Sequence, residues 1–202
     1  MSSARDNQLA IVDGGGANIA SLTFALARLG VSGELTTDIG RIRAARRVIL
    51  PGVGAAKDAM SRLRAAGLDT VIPELTQPVL GICLGLQLLF EASAEEDAQC
   101  LGILPGHAIK FVSDAEHSVP HMGWNRVHAS PDSKLLADLP AGAQFYFVHS
   151  YAVPVTDFTT GWCEYGHDFS AVVEKNNFLA TQLHPERSGT NGARVLQNFL
   201  EL

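Results

Sequence analysis

The sequence has 202 residues, 47% of them hydrophobic and 18% charged, which is the length and composition of one globular domain and not of a disordered chain. Its 15 Lys and Arg and 21 Asp and Glu give a formal net charge of −6, which argues against nucleic acid or an anionic membrane surface as the main partner. No stretch approaches the roughly 18 uncharged apolar residues of a membrane span, and the polar N-terminus is unlike a secretory signal. The 3 cysteines have no CxxC spacing, which is typical of a reduced, cytoplasmic protein without disulfides.

The first half of the chain alternates between two hydrophobic patterns. Short apolar runs predict strands, and apolar residues spaced three and four apart predict helices. Asn18 is the predicted N-cap of the first helix, and Gly30 is the residue predicted to end it. In chain order, this half is predicted to contain a strand at 9–12, a helix at 19–29, strands at 34–37 and 48–50, a helix at 55–66, a strand at 78–82 and a helix at 84–90.

The second half is richer in β-structure. Strands are predicted at 111–112, 144–151, 171–174 and 178–184, with Asn176 and Asn177 as a hairpin turn and a final helix at 193–202. Because strands that alternate with helices form parallel sheets covered by helices, we predict an α/β fold. A single domain over residues 1–202 would have a central, mostly parallel sheet flanked by helices, with an additional antiparallel β portion in the second half.

Cys83 is the candidate nucleophile. It lies between Gly81 and Gly85, directly after an apolar strand and directly before a helix, which is the arrangement of a nucleophile elbow. The N-terminus of that helix would favour the reactive thiolate. The alternative is a buried structural cysteine, but the flanking glycines favour the catalytic role. Cys100 and Cys163 lack this context and are expected to be structural.

His184 and Glu186 are the candidate base and its orienting carboxylate. They follow an apolar run and are separated by Pro185, and residues two apart in an extended chain point to the same side. A thiolate that attacks an amide needs an imidazole to take up and return a proton, and a carboxylate can orient that imidazole. Alone, the His-Pro-Glu sequence also fits a solvated turn, but together with Cys83 it predicts a Cys-His-Glu triad.

An oxyanion site is predicted from two backbone segments. The N–H of Leu84, the residue after the nucleophile, is one expected donor for the developing negative charge. Gly52 or Val53 would supply the second, since their strand should end at the same edge of the sheet. Glycines on both sides of Val53 would let this peptide flip, although an ordinary tight turn is the alternative.

Longer segments resemble a known family. Residues 50–54 (LPGVG), 81–89 (GICLGLQLL) and 182–186 (QLHPE) are similar to the three signatures of triad, or class I, glutamine amidotransferases, in the family's order. Residues 120–125 (PHMGWN), 146–151 (YFVHSY) and 184–189 (HPERSG) resemble the branch formed by the glutaminase subunits of imidazole glycerol phosphate synthases. The resemblance extends from Leu9 to Leu202.

The resemblance implies an activity and a set of roles. Cys83 would attack the carboxamide of glutamine, His184 would relay the proton, and Glu186 would orient His184. The positions expected to bind glutamine are Gly52, Gln87, His149, Ser150 and Tyr151, with Val53 and Leu84 as the oxyanion positions.

The resemblance also implies a partner. Ammonia would pass to a cyclase subunit with a (β/α)8 barrel fold, forming a heterodimer that makes imidazole glycerol phosphate and the aminoimidazole carboxamide ribonucleotide in histidine biosynthesis. Trp124, Tyr146 and Arg187 match positions expected near this interface. No cofactor and no metal site are expected.

Two other functions stay open from the sequence alone. One is a triad amidotransferase of another pathway, against which the segment at 121–125 argues. The other is a catalytically silent binding module of the same fold, against which the intact Cys83, His184 and Glu186 argue.

Overall fold

The computed structural model describes residues 9–15 and 19–202, so the predicted N-cap Asn18 lies outside the described residues. The helices are α1 (Ile19–Arg28), α2 (Ile39–Ala44), α3 (Ala56–Ala65), α4 (Leu68–Val71), α5 (Leu84–Leu88) and α6 (Gly189–Glu201). Short 3-10 turns occupy Ile72–Glu74, Glu95–Asp97 and Pro185–Arg187. In the described part of the chain, no helix is long and apolar enough to cross a membrane.

Strands connect these helices in the first half and follow one another in the second. They are β1 (Leu9–Val12), β2 (Glu34–Thr36), β3 (Arg47–Gly52), β4 (Val79–Cys83), β5 (Phe90–Ser93), β6 (Ala98–Gln99), β7 (Leu104–Lys110), β8 (His121–Arg126), β9 (His128–Ala129), β10 (Gln144–His149), β11 (Tyr151–Ala152), β12 (Thr159–Tyr165), β13 (His167–Lys175) and β14 (Phe178–Thr181).

The central sheet confirms the predicted fold class. Its strand order is β2-β1-β3-β4-β14-β13-β12-β9. The pairs from β2 through β14 are parallel, and the remaining pairs, from β14 to β9, are antiparallel. A two-stranded sheet of β8 and β10 and a four-stranded sheet of order β11-β7-β5-β6 complete the β-structure of the described residues.

Alternation along the strands divides the hydrophobic core into two clusters. Val48 and Leu50 of β3 belong to one cluster and Ile49 to the other, because successive side chains point to opposite faces of a strand. Helices α3 and α4 pack on the first cluster, and α1 and α6 pack on the second. The sheet is therefore covered on both faces, as parallel sheets are.

Several helix and strand boundaries predicted from the sequence differ from those in the structure. The helix predicted at 84–90 ends at Leu88, because Phe90 already pairs with Leu104 in the neighbouring sheet. The strand predicted at 111–112 is instead β7, which ends at Lys110. The predicted turn at 176–177 is confirmed, since Lys175 and Phe178 are paired across it. Helix α2 and strand β8 were not predicted, since neither has a strong apolar pattern.

Candidate active site

The nucleophile elbow forms where β4 meets α5. Cys83 has φ +54° and ψ −108°, a backbone conformation that non-glycine residues adopt rarely and mostly at functional turns. A Cβ on Gly81 would lie 2.7 Å from the carbonyl oxygen of Gly85, and a Cβ on Gly85 would collide with the carbonyl oxygen of Leu50. The two glycines predicted from the sequence are therefore required by the close approach of strand, turn and helix.

The predicted oxyanion segment lies beside this elbow. Strand β3 runs parallel to β4, and Gly52 is paired with Cys83. A Cβ on Gly52 would lie 2.6 Å from the backbone nitrogen of Gly85, so only glycine allows this approach. The peptide between Gly52 and Val53 and the N–H of Leu84 are consequently neighbours at the carboxyl edge of the sheet.

His184 and Glu186 form a buried pair next to β4. Nδ1 of His184 lies 2.8 Å from Oε1 of Glu186, and their side chains are 6% and 4% exposed. Pro185–Arg187 is a 3-10 turn and not the extended segment assumed from the sequence. The hydroxyl of Ser188 donates to the carbonyl oxygen of His184 and also accepts the N–H of Tyr146, which fixes this turn against β10.

The charge state of His184 depends on its two neighbours. Burial by itself lowers the pKa of the imidazole. The interactions with Cys83 and Glu186 raise it by more than burial lowers it, so that the pKa is about 10. Nε2 is buried and has no hydrogen-bond partner within the described residues, so it is the ring atom left for the Cys83 thiol. The arrangement favours a protonated imidazole beside the sulfur.

An open cleft of about 510 Å³ gathers the predicted site residues. Cys83 and His184 lie in its wall, and Glu186 lies behind His184, where it lines a separate cavity of about 40 Å³. The other predicted residues that line the cleft are Gly52, Val53, Leu84, Gln87, His149, Ser150, Tyr151 and Arg187. Segments far apart in sequence thus meet at one edge of the sheet. Among the described residues, no cluster of three or more His, Cys, Asp or Glu side chains could hold a metal ion.

The sequence model of the family "Glutamine amidotransferase class-I" matches residues 10–202. The chain belongs to the class-I glutamine amidotransferase family. It is 52% identical over 194 residues to the imidazole glycerol phosphate synthase subunit HisH of Xanthomonas axonopodis pv. citri, with 96% of this chain and 97% of that protein covered. It is 49% identical over 195 residues to the HisH subunit of Xylella fastidiosa strain Temecula1, with 96% and 98% covered.

A solved glutamine amidotransferase has the same fold. It superimposes with a TM-score of 0.73 at 18% sequence identity and covers 96% of this chain and 97% of its own. This match shows the shared fold, and the family model and the HisH relatives confirm the family resemblance drawn from the sequence.

The three residues predicted near a partner contact one another in series, and one of them, Arg187, also lines the amidotransferase cleft. Trp124 and Tyr146 are cross-strand partners whose ring centroids are 6.3 Å apart. The Arg187 guanidinium lies 4.5 Å from the centre of the Tyr146 ring, a cation–π contact. Trp124 is 56% exposed and Met122, on the same face of β8, is 62% exposed.

Two residues of this amidotransferase site were missed. Glu95 lines the cleft and accepts a hydrogen bond of 2.8 Å from the backbone N–H of Ala56. Nothing in the sequence distinguishes it from the adjacent Glu96 and Asp97. Gln182 is fully buried and its Nε2 lies 3.6 Å from the Cys83 sulfur. It stands in the quoted signature at 182–186, so its position was visible but its role was not.

Proposed function

We propose that this chain is the glutaminase subunit of an imidazole glycerol phosphate synthase, and that it releases ammonia from glutamine with Cys83, His184 and Glu186. The observation that carries the proposal is a strained cysteine at a helix N-terminus that shares one cleft with His184, which is itself paired with the buried Glu186. The identity of about half the residues with HisH subunits supports the pathway.

In the first half of the reaction, the Cys83 thiolate attacks the carboxamide carbon of glutamine. The oxyanion that forms takes hydrogen bonds from the N–H of Leu84 and from the Gly52–Val53 segment. His184, protonated at Nε2, gives its proton to the leaving nitrogen, and ammonia departs. Glu186 holds the imidazole through Nδ1 throughout.

In the second half, water resolves the thioester on Cys83. His184, now neutral, takes a proton from the water as it attacks the carbonyl carbon. The bond to sulfur breaks, glutamate leaves, and the thiolate and imidazolium are restored. The net reaction consumes one glutamine and one water and yields one glutamate and one ammonia.

Complementary charges support glutamine as the substrate. The Glu95 carboxylate suits the α-ammonium group, and the Arg187 guanidinium suits the α-carboxylate, since both line the cleft. Both amide hydrogens of Gln87 are used inside the protein, toward Tyr151 and Gln182, so Gln87 offers a substrate only its carbonyl oxygen. His149 and Ser150 also line the cleft.

The relatives and the exposed residues beside the cleft support a partner subunit. A HisH protein is named as one subunit of its synthase, and we assign this chain a second subunit, a (β/α)8 cyclase barrel that receives the ammonia. Met122 and Trp124 supply exposed apolar surface, and Arg187 is at the cleft mouth, which suits a surface that docks over the active site.

The test measures glutamate release with the cyclase partner present. We expect Cys83→Ala to lower the rate by at least about a thousand-fold, because no other thiol lies in the cleft. The matched control is Cys100→Ala, since Cys100 is outside the cleft and burial raises the pKa of its thiol to about 11. A Cys83→Ala protein that binds the partner and still hydrolyses glutamine at a comparable rate would overturn the mechanism.

A further inference from the structure

A line of hydrogen bonds runs through the interior from a backbone carbonyl to the Cys83 sulfur. Nε2 of Gln87 donates to the carbonyl oxygen of Tyr151 at 2.9 Å and to Oε1 of Gln182 at 3.0 Å. Nε2 of Gln182 in turn donates to Sγ of Cys83 at 3.6 Å. Gln87 is 4% exposed and Gln182 is 0% exposed, so water does not compete for these bonds.

The donor and the acceptor of each of these hydrogen bonds follow from the backbone carbonyl of Tyr151 at one end of the line. A backbone carbonyl can only accept, so the side of the Gln87 amide that faces Tyr151 must be its NH2 group. The second hydrogen of that group points to Gln182, whose facing atom must then be its carbonyl oxygen. The NH2 group of Gln182 is left to point at the sulfur. The Tyr151 carbonyl therefore fixes two amide orientations that the shape of the side chains alone does not assign.

We propose that Gln182 is a further catalytic residue, that its side-chain N–H stabilises the Cys83 thiolate, and that Gln87 and the Tyr151 carbonyl hold its amide in the donating orientation. The proposal rests on the assignment of Cys83 as the nucleophile. Gln182 lies two residues before His184, so one short segment supplies both a donor to the sulfur and the base.

The surroundings of the sulfur give this donor a distinct task. The carbonyl oxygen of Val148 is 3.9 Å from Sγ and can accept the proton of the neutral thiol, but it repels the thiolate. The Gln182 amide has the opposite preference, because a hydrogen bond to an ionised acceptor is stronger than one to a neutral one. The two contacts therefore favour opposite forms of the sulfur, the thiol in one case and the thiolate in the other.

The far end of the line is held by a histidine pair that does not titrate near neutral pH. Nδ1 of His149 lies 2.9 Å from the same Tyr151 carbonyl, and its Nε2 lies 3.2 Å from Nδ1 of His121. Burial lowers the pKa of His149 to about 3 and that of His121 to about 4, so both rings stay neutral. The titratable or charged groups that face the cleft are Glu95, Cys83, His149, Tyr151, His184 and Arg187, with Glu186 behind His184.

The experiment measures the rate at which iodoacetamide alkylates Cys83 as a function of pH in the full chain, without glutamine or partner. The other thiols react slowly, because burial raises the pKa of both Cys100 and Cys163. We expect Gln182→Met, which keeps the length and burial of the side chain but removes its N–H, to raise the pH midpoint by about one to two units. The matched control is Gln99→Met on the exposed face of β6, which should leave the midpoint unchanged.

A second variant separates catalysis from packing. Gln182→Leu also removes the N–H and leaves an apolar side chain in this buried position, so the midpoint should rise about as far as in Gln182→Met. In both variants, kcat for glutamine with the cyclase present should fall at neutral pH and recover partly at higher pH. A midpoint that is unchanged in either folded variant would overturn the role of Gln182.

This outcome is distinct from failure of the proposed function. The unsubstituted chain is assayed in parallel for glutamate release with the cyclase. Absence of that activity counts against the glutaminase assignment, whereas an unchanged alkylation midpoint counts only against Gln182.

Discussion

The sheet formed by β8 and β10 has a buried face and an exposed face with different chemistry. His121 and His149 are paired across the strands and are 3% and 6% exposed, on the side that leads to the cleft. Trp124 and Tyr146 are paired on the opposite side, where Trp124 is 56% exposed. Because side chains alternate along a strand, the same two strands contribute side chains to the cleft side on one face and to the surface proposed for the partner on the other.

This comparison implies that the two functions can be damaged separately. Substitutions on the buried side should change glutamine turnover without changing partner affinity, and substitutions on the exposed side should do the reverse. The predictions below test that separation, beginning with the largest expected effect.

Replacing Glu186 by Gln should damage the chemistry most. The substitution keeps the shape of the side chain but removes the charge that helps to hold the pKa of His184 at about 10. We expect kcat to fall by roughly a thousand-fold to ten-thousand-fold, as when the carboxylate of a catalytic triad is replaced by an amide. Partner affinity should not change. Glutamine kinetics with the cyclase, together with a binding titration, provide the measurement.

The pH dependence of stability checks the same interaction. Because the pKa of His184 is raised in the folded state, its interactions stabilise the fold fully below the unfolded pKa of about 6.5 and are lost as the pH rises through about 10. Thermal denaturation of the unsubstituted chain should therefore show a loss of stability over this range. That loss should be smaller in Glu186→Gln, and an equal loss in both proteins would contradict the assignment of the charge.

Replacing Trp124 by Ala should weaken partner binding without affecting the nucleophile. An exposed Trp at the centre of an interface commonly contributes about 2 kcal/mol or more, so we expect the Kd for the cyclase to rise about thirty-fold. Alkylation of Cys83 in the isolated chain should be unchanged. Leu35→Ala on the edge strand β2 is the matched control, because Leu35 is also an exposed apolar residue and lies in a different sheet from β8.

Replacing His121 by Phe should give the smallest effect and one confined to the buried face. Phe keeps an aromatic ring to stack on Tyr165 but removes the donor to Nε2 of His149. Leaving that buried acceptor without its partner should raise KM for glutamine about ten-fold. His121→Asn should restore most of the affinity, because its amide nitrogen can take the place of Nδ1. If His121→Asn and His121→Phe raised KM equally, the hydrogen bond between His121 and His149 would not contribute to glutamine binding.

The elbow could be predicted because its two glycines flank Cys83 in the sequence. Gly81 is required by backbone contacts with Gly85 inside the same strand-turn-helix unit, whereas Gly85 is required by its approach to the carbonyl oxygen of Leu50 on β3. The turn at 176–177 could also be predicted, because its strands are adjacent along the chain. Family resemblance then supplied the predicted glutamine-binding positions, which local patterns alone did not identify.

Residues that act through distant contacts could not be predicted in this way. Glu95 enters the cleft because its carboxylate accepts the N–H of Ala56, 39 residues earlier. Gln182 reaches Cys83 across 99 residues, through strands that are neighbours only in the sheet. The short helix α2 and the strand β8 were missed because long-range packing outweighs their weak intrinsic preferences.

By itself, the sequence was sufficient to predict the α/β fold class and the family. It also led us to predict a nucleophile, a base and an orienting carboxylate, since each of these residues is marked by residues close to it in the chain. Only the tertiary structure decided which way the amides of Gln87 and Gln182 point and which face of β8 is buried. Those outcomes depend on hydrogen bonds and contacts between segments that the fold brings together. The order of residues along the chain does not specify such long-range contacts.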